Sequence, residues 1–167
     1  MKALVTGASS GIGKDIAKVL SNMGYDIIAV AREEVKLNEL KKELNSKVEI
    51  ISIDLENPEN CKKLYQTVKN EGIDILVNNA GFGEFGEFIT TNLNKELSMI
   101  NTNIIAVHIL TKLFLQDMVK HNKGYILNVA SIAGFMPGPL MATYYSTKSY
   151  IIRLSREHIY RIKKEQI

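Results

Sequence analysis

The stretch Thr6-Gly7-Ala8-Ser9-Ser10-Gly11-Ile12-Gly13 decides the fold. It follows a short apolar run at residues 3–5 and leads into residues 14–20, whose apolar side chains recur with helical spacing. A strand that enters a glycine-rich turn and then a helix forms a phosphate site. Glycines allow close backbone approach, and the first N–H groups of the helix face the anion. The spacing is Thr-Gly-x-x-x-Gly-x-Gly, with three residues after the first glycine, and it is not the Gly-x-Gly-x-x-Gly of the usual dinucleotide fingerprint.

Length and composition favour one ordinary globular domain over residues 1–167. The 167 residues suit a single domain, at roughly 150 residues per domain. The 46% hydrophobic and 23% charged residues are typical of globular chains. The net charge is only +3, and lysines alternate with glutamates over residues 34–47. This alternation favours a solvated helix face over a nucleic-acid surface, so we expect no nucleic-acid partner.

The single cysteine and the start of the sequence indicate the compartment. Cys61 is the one cysteine, so an internal disulfide is impossible and a reducing compartment is favoured. We interpret Cys61 as a small residue on a helix rather than as a catalytic thiol. Strand-like sequence begins almost at Met1, which leaves no room for a signal peptide. No apolar run approaches the ~18–20 residues of a membrane span, so we expect a cytoplasmic protein without a membrane partner.

Apolar runs of strand length alternate with helical patterns along the rest of the chain. After the first strand, the predicted strands are residues 26–30, 48–53, 73–77 and 125–130. The predicted helices are residues 10–23, 35–44, 58–72, 94–121 and 144–165. Strands that are apolar on both faces predict a doubly wound α/β fold, a parallel sheet with helices on both faces. Its ligand lies beyond the carboxyl ends of the strands.

The helix predicted at residues 94–121 is apolar nearly all the way round in its middle. Such a helix is either buried on two sides or part of a subunit interface.

Three polar residues near the end of the chain form a proton-transfer pattern. Tyr144 and Lys148 are four residues apart, so they share one face of a helix, and Ser131 follows the fifth strand. An ammonium beside a phenol favours the phenolate form, and a serine hydroxyl holds a carbonyl oxygen in place. Tyr145 is a rival to Tyr144, but it has no lysine four residues on.

Other candidates have less support. The three histidines, His108, His121 and His158, lack metal-ligand spacing, so we expect no metal. Apolar side chains in two loops are interpreted either as walls of a substrate pocket or as core residues: Phe82, Phe85, Phe88, Met136, Pro137, Leu140 and Met141.

Taken together, these patterns resemble the short-chain dehydrogenase/reductase family, whose members are Rossmann-fold oxidoreductases that use NAD or NADP. The matching segments, which cover essentially the whole chain, occur in family order: Thr6–Gly13, Asp54-Leu55, Asn78-Asn79-Ala80-Gly81, Asn103, Ser131 and Tyr144-x-x-x-Lys148.

The resemblance implies a role for each matched residue. Tyr144 would be the general acid or base on the substrate oxygen, and Ser131 would hydrogen-bond the same oxygen. Lys148 would bind the nicotinamide ribose and favour the phenolate of Tyr144. Asn103 would kink its helix and hold a water of the proton relay, although residues 101–103 also fit a simple polar patch. The implied cofactor-binding residues are Thr6, Gly7, Ser9, Ser10, Gly11, Ile12, Gly13, Arg32, Asp54, Leu55, Asn79, Ala80, Gly81, Tyr144 and Lys148.

The end of the second strand favours NADP over NAD. An acidic residue there binds the ribose 2′-hydroxyl of NAD, whereas an arginine accommodates the 2′-phosphate of NADP. Ala31 is neutral and Arg32 is basic, which resembles the NADP pattern. Glu33 lies about 20 residues past the turn, where the NAD fingerprint places its acid.

Family members continue beyond the helix of Tyr144 with further strands and a substrate-covering lid, segments that we do not find in residues 1–167. We therefore expect five strands in the order 3-2-1-4-5, with the fifth strand at an exposed or partner-covered edge. The apolar helix containing Asn103 and the last helix (Ile151, Ile152, Leu154, Ile159 and Ile162) resemble the family's dimer-forming pair. A homodimer or homotetramer through these helices is therefore expected.

Three functions follow from the pattern. The first is an NADP-dependent oxidoreductase that transfers a hydride between the nicotinamide and a small-molecule carbonyl or alcohol substrate. The second is a nucleotide-binding module without catalysis. The third is an inactive fragment that retains only the oligomer interface. Binding of NADPH separates the first two from the third, and turnover separates the first from the second.

Overall fold

The computed structural model describes the backbone of residues 1–164 and the side chains of residues 1–156. The strands are β1 (Lys2–Thr6), β2 (Asp26–Ala31), β3 (Val48–Ser52), β4 (Ile75–Asn78) and β5 (Tyr125–Asn128). The helices are α1 (Gly11–Asn22), α2 (Glu34–Glu43), α3 (Pro58–Val68), α4 (Leu93–Ile100), α5 (Val107–Lys120) and α6 (Ala142–Lys164). A π-helical segment, Asn101–Ala106, joins α4 to α5, and a short 3₁₀ helix, Ile132–Phe135, follows β5.

The five strands form one parallel sheet in the order β3-β2-β1-β4-β5, which confirms the predicted fold class and strand order. β1 lies at the centre, where Leu4 is opposite Ile28 of β2 and Leu76 of β4. The chain winds outward from β1 in both directions, and α1, which follows β1, packs on one face of the sheet while α5, which follows β4, packs on the other. This switch point is where an open α/β sheet binds its ligand.

Alternate residues of β1 face two different apolar layers. Ala3 and Val5 pack with Ala17 of α1 and Leu37 of α2 on one face of the sheet. Leu4 packs on the other face, in a cluster that includes residues of α3 and α5. The near-continuous apolar strands therefore have helices on both faces, as the sequence pattern predicts.

Cys61 belongs to the second of these layers. Its side chain is fully buried, and its thiol lies 3.4 Å from the carbonyl oxygen of Leu55. Burial raises the pKa of this thiol to about 11, which disfavours the reactive thiolate. These facts support a packing role for Cys61 rather than a catalytic one.

Several predicted boundaries move by a few residues. The third helix ends at Val68 rather than near Gly72, because the backbone N–H of Glu71 bonds the carbonyl oxygen of Val68 at 2.9 Å in a tighter turn. β4 begins at Ile75 and β5 ends at Asn128, each two residues inside the predicted limit. The last helix begins at Ala142, two residues early, while its predicted end at Glu165 lies outside the described residues.

The predicted long helix exists but is not one regular α-helix. Its middle is the π-helical segment between α4 and α5. The combined helix Leu93–Lys120 contains an 18-residue stretch with a mean hydropathy of 1.3, so it is long and apolar enough to cross a membrane by length and composition alone. The sequence analysis, which searches for uninterrupted apolar runs, does not identify this helix as a possible membrane span. In the fold, Ala106, Leu110 and Phe114 of this helix pack against the sheet, which makes it a core helix.

Candidate functional site

A cleft of about 820 Å³ runs along the carboxyl edge of the sheet. Residues from the loops after all five strands line it, together with α6. Among the predicted site residues, the cleft is lined by Gly7, Ser9, Ser10, Gly11, Ile12, Arg32, Asp54, Leu55, Asn79, Ala80, Gly81, Tyr144 and Lys148. Thr6, Gly13, Asn103 and Ser131 are not part of the lining; Thr6, Asn103 and Ser131 instead hydrogen-bond neighbouring backbone.

The turn after β1 has two glycines with positive φ. Gly7 has a φ of +66° and Gly11 a φ of +52°. A Cβ at Gly7 would lie 2.8 Å from Nδ2 of Asn79, whereas a Cβ at Gly11 would meet nothing within 4 Å. Gly7 therefore allows the two loops to touch, and Gly11 faces open space at the start of α1. The first N–H groups of α1 have no partner within the helix, so they are available to an anion there.

Thr6 and Asn79 fasten the turn after β1 to the loop after β4. The Thr6 hydroxyl donates to the carbonyl oxygen of Val77 (3.1 Å) and accepts from the backbone N–H groups of Asn79 (3.0 Å) and Ala80 (3.1 Å). The Asn79 side-chain amide donates to the carbonyl oxygens of Thr6 (3.1 Å) and Gly7 (3.3 Å). The side chain of Thr6 is buried at this junction and supports the turn from beneath.

The end of β2 presents one basic and one acidic side chain to the cleft, Arg32 and Glu33. The Glu33 carboxylate lies 2.8 Å from the ammonium group of Lys36 on the first turn of α2. The Arg32 side chain is exposed, and no hydrogen bond or ion pair to its guanidinium occurs within the described part of the chain. The acid is thus paired while the arginine is free to meet an anion.

Asp54 lies at the next loop along the edge of the sheet. Its carboxylate accepts the backbone N–H of Glu56 (3.0 Å), and its carbonyl oxygen accepts from the Asn60 amide (2.8 Å). These bonds shape the loop after β3, which contributes Asp54 and Leu55 to the wall of the cleft.

Tyr144 and Lys148 lie one helical turn apart at the other end of the cleft. The Lys148 ammonium is 5.8 Å from the centroid of the Tyr144 ring. It donates to the carbonyl oxygen of Val129 (3.0 Å). Lys148 is 8% exposed, and this burial lowers the pKa of its ammonium below the ordinary value. A cation is therefore held beside the phenol at the site that the sequence pattern indicates.

Tyr145, the rival of Tyr144, faces elsewhere. It packs against Gly138 and lines a separate cavity of about 440 Å³. Of the two adjacent tyrosines, only Tyr144 lines the cleft, whereas Tyr145 lines the separate cavity.

Asn103 lies in the π-helical segment and is 2% exposed. Its side-chain oxygen accepts the backbone N–H of Phe82 (3.1 Å). Its amide donates to the carbonyl oxygen of Phe82 (2.8 Å) and to the hydroxyl of Thr147 (3.1 Å). The predicted local distortion of this helix is therefore present, and the side chain joins the loop after β4 to α6. The alternative of an unspecific polar patch does not describe these contacts.

Ser131 caps the 3₁₀ helix after β5. Its side-chain oxygen accepts the backbone N–H of Ala133 at 3.1 Å. The residues just before it, Val129 and Ala130, line the cleft, while Ser131 does not. Its proposed contact with a substrate oxygen thus stays a prediction.

The apolar loop residues lie in three different places. Phe82, Phe85 and Met141 line the Tyr144 end of the cleft, whereas Phe88 and Leu140 border a different small cavity. Met136 and Pro137 lie beside Tyr145. Only the first group fits the interpretation as walls of a substrate pocket.

The histidines have individual partners rather than a shared centre. Nδ1 of His108 lies 2.6 Å from the Tyr150 hydroxyl, and Nδ1 of His121 lies 2.7 Å from the carbonyl oxygen of Asp117. The side chain of His158 lies outside the described residues. Over the side chains that the structure describes, no group of three or more His, Cys, Asp or Glu could hold a metal ion.

A buried polar network behind the cleft was not predicted. The Asn78 amide donates to the Thr111 hydroxyl (3.0 Å) and to the side-chain oxygen of Asn128 (2.8 Å), whose own amide donates to Ser155 (3.0 Å). These residues join β4, α5, β5 and α6. Their sequence separations of 17 to 50 residues provide no periodic signal that would reveal the contacts.

The whole chain, residues 1–167, matches the model of the short chain dehydrogenase family. The very-long-chain 3-oxoacyl-CoA reductase-B of Danio rerio is 38% identical over 162 residues, covering 92% of this chain. That match covers 52% of the relative, so the chain spans about half of the relative's length.

Two solved structures have closely similar folds. A metagenomic short-chain oxidoreductase in complex with NADP has a TM-score of 0.92 and 30% identity, covering 99% of this chain and 77% of that one. A short-chain dehydrogenase from Sphingobium yanoikuyae in complex with NADPH has a TM-score of 0.91 and 30% identity, covering 99% of this chain and 67% of that one. With its Rossmann-type sheet and its carboxyl-edge cleft, the chain belongs to the short-chain dehydrogenase family of oxidoreductases.

Proposed function

We propose that this chain is the nucleotide-binding and catalytic part of an NADP-dependent oxidoreductase acting on a carbonyl or alcohol. The observation that carries the proposal is the position of Tyr144 and Lys148 at one end of a cleft whose other walls carry a glycine-rich turn and Arg32. The NADP named with two similar structures supports the same assignment.

The cleft fits a dinucleotide. The open space at Gly11 and the free N–H groups of the first turn of α1 suit a pyrophosphate. Arg32 suits a ribose 2′-phosphate, because a guanidinium binds phosphate oxygens through paired hydrogen bonds. Lys148 would donate to ribose hydroxyls. The cofactor supplies the hydride, and the protein supplies binding, orientation and the proton.

Tyr144 is the proposed proton donor in carbonyl reduction. Its hydroxyl would give a proton to the substrate oxygen as the carbonyl carbon accepts the hydride, and it would take that proton back in the reverse reaction. The buried Lys148 ammonium stabilises the resulting phenolate through its charge. Ser131 would hold the substrate oxygen from the other side.

The substrate is proposed to be an uncharged, apolar carbonyl compound or the corresponding alcohol. Phe82, Phe85 and Met141 face the Tyr144 end of the cleft. Apolar walls with a few placed polar groups are typical of such pockets. The 3-oxoacyl group in the name of the Danio rerio relative is also a carbonyl on an apolar chain.

The test compares Tyr144→Phe with Tyr145→Phe, a matched control that removes the neighbouring hydroxyl. With NADPH and a set of apolar ketones, the Tyr144 variant is expected to lose about 100-fold or more in kcat, the usual contribution of a general acid. The Tyr145 variant is expected to stay close to the wild-type rate. Equal losses in both variants would overturn the assignment of Tyr144, and NADPH binding without turnover by wild type would favour a non-catalytic module.

The oligomer and the compartment are proposed from the same pattern. Leu97 of α4 and Val119 of α5 are exposed apolar side chains. They support a homodimer or homotetramer through the helices that contain Asn103 and Lys148. The lone buried cysteine supports a reducing, cytoplasmic location. A concentration-independent monomer mass in light scattering would overturn the proposed assembly.

A further inference from the structure

We propose that Thr147 is a positioning residue for Tyr144, an inference that rests on the proposed function of the cleft. Its hydroxyl connects the loop after β4, the π-helical segment and α6 in a single chain of hydrogen bonds. Thr147 directly precedes Lys148, and its side chain is 1% exposed.

Every polar side-chain hydrogen of Thr147 and Asn103 has an acceptor in this series of hydrogen bonds. The Thr147 hydroxyl donates to the carbonyl oxygen of Tyr144 at 2.7 Å and accepts from the Asn103 amide at 3.1 Å. The second hydrogen of that amide goes to the Phe82 carbonyl oxygen at 2.8 Å. Because a hydroxyl has one hydrogen and that amide has two, no donor of this set remains for a substrate. Thr147 therefore acts through Tyr144 and not on the reacting atoms.

The loop that Asn103 holds also packs directly on the proposed catalytic residues. A Cβ at Gly83 would lie 3.2 Å from Cδ2 of the Tyr144 ring. A Cβ at Gly81 would lie 2.8 Å from the Asn103 side-chain oxygen and 3.8 Å from the Lys148 ammonium. These two glycines therefore let the loop lie closer to Tyr144 and Lys148 than a residue with a side chain would. The Thr147 hydroxyl thus fixes the distance between this loop and the helix that carries Tyr144.

Ser146 provides a contrast on the same helix. It is exposed, and its hydroxyl donates to the carbonyl oxygen of Ala142 at 2.9 Å, the ordinary bond of a helical serine. It has no link to Asn103. Ser146→Ala is therefore a matched control that removes a helical hydroxyl without removing any hydrogen bond between Thr147, Asn103 and Phe82.

The kinetic test compares Thr147→Val, which keeps the shape but loses the hydroxyl, with Thr147→Ser, which restores it. Thr147→Val leaves a buried amide hydrogen of Asn103 unpaired, and we expect kcat to fall about tenfold with the KM for the carbonyl unchanged. Thr147→Ser and Ser146→Ala are expected to keep the wild-type kcat. A fall in kcat that Thr147→Ser does not restore, or a change in KM alone, would overturn the proposal.

A second measurement does not depend on turnover. In protein labelled with ¹³C-tyrosine, the Tyr144 ring signal, assigned with Tyr144→Phe, is expected to shift in Thr147→Val and to return in Thr147→Ser. The signal of Tyr125, which is 73% exposed, serves as an internal reference. An unchanged Tyr144 signal in Thr147→Val would overturn the positioning role.

The two measurements separate the two proposals. If Thr147→Val shows the expected ring shift but the wild-type protein shows no turnover with NADPH, the positioning role is supported and the proposed function is overturned. If Thr147→Val does not fold, Thr147→Ala replaces it in the comparison with Thr147→Ser, because alanine also lacks the hydroxyl and has a smaller side chain.

Discussion

At the scale of single residues, Gly13 lies where the turn after β1 meets the loop after β4. A Cβ at this position would clash with the Gly7 carbonyl oxygen and with the Asn79 amide, both of which belong to the junction of the two loops. Gly13→Ala is therefore expected to reduce the free energy of unfolding by about 2–3 kcal/mol, a typical cost of overpacking. Urea denaturation followed by circular dichroism measures this loss.

The matched control for Gly13→Ala is Gly72→Ala. Gly72 has a φ of +66°, but a Cβ there would meet nothing within 4 Å. Its replacement is expected to cost about 1 kcal/mol, from backbone strain alone. Equal losses for the two variants would show that packing at the loop junction is not the constraint on Gly13.

The buried ammonium of Lys148 predicts a pH dependence of stability. Because burial lowers its pKa in the folded chain below 10.5, the unfolded chain binds more protons between the lowered pKa and 10.5. Stability rises with pH wherever the unfolded state binds more protons. The free energy of unfolding of wild type, minus that of Lys148→Met, is thus expected to rise as the pH increases toward 10.5. A difference that stays flat or falls over this range would contradict the burial of a charged Lys148.

At the scale of elements, Asp74 joins the amino ends of three neighbouring strands. Its carboxylate accepts the backbone N–H of Lys2 at 2.8 Å, and its carbonyl oxygen accepts the backbone N–H of Tyr125 at 2.8 Å. The Lys123 ammonium lies 2.5 Å from the carboxylate. This ammonium is the main cause of the lowered pKa of Asp74.

Asp74→Asn is expected to cost about 1 kcal/mol near neutral pH, because Lys123 is 70% exposed and solvent screens its charge. The folded pKa is the lower one, so this stabilisation is complete above the unfolded value of ~3.9 and is lost as the pH falls through the folded pKa. Thermal unfolding between acid and neutral pH measures it, with Asp15→Asn on the exposed face of α1 as the control. A cost that persists unchanged in acid would contradict the charge-based explanation.

The elements themselves follow from local patterns, whereas some contacts of the site do not. The glycine turn, the Asn57-Pro58 start of α3 and the Tyr144–Lys148 spacing are encoded by neighbouring residues, and the structure places all of them as expected. The π-helical hydrogen bonds leave no mark in apolar periodicity. The bond between Asn103 and Thr147 joins residues 44 apart, so no local pattern reveals it.

At the scale of the whole molecule, the parallel sheet explains why distant residues share one cleft. All strands point the same way, so the loops that follow them meet at one edge, and sequence order alone predicts that Gly11, Arg32 and Tyr144 lie along it. Sequence order does not predict how deep a side chain lies. Thr6 and Gly13 are predicted to bind cofactor, but both are buried and neither lines the cleft, so their contact with a cofactor stays a prediction.

The measurement that tests the central claim most directly is calorimetric titration of the folded chain with NADPH and with NADH, for wild type and for Arg32→Ala. We expect wild type to bind NADPH more tightly than NADH. Arg32→Ala is expected to weaken NADPH binding about tenfold or more, the value of a charge-assisted hydrogen bond, and to leave NADH binding unchanged. Binding of neither nucleotide by folded wild type would contradict the assignment of the cleft. Equal weakening of both nucleotides by Arg32→Ala would contradict the proposed contact with the 2′-phosphate.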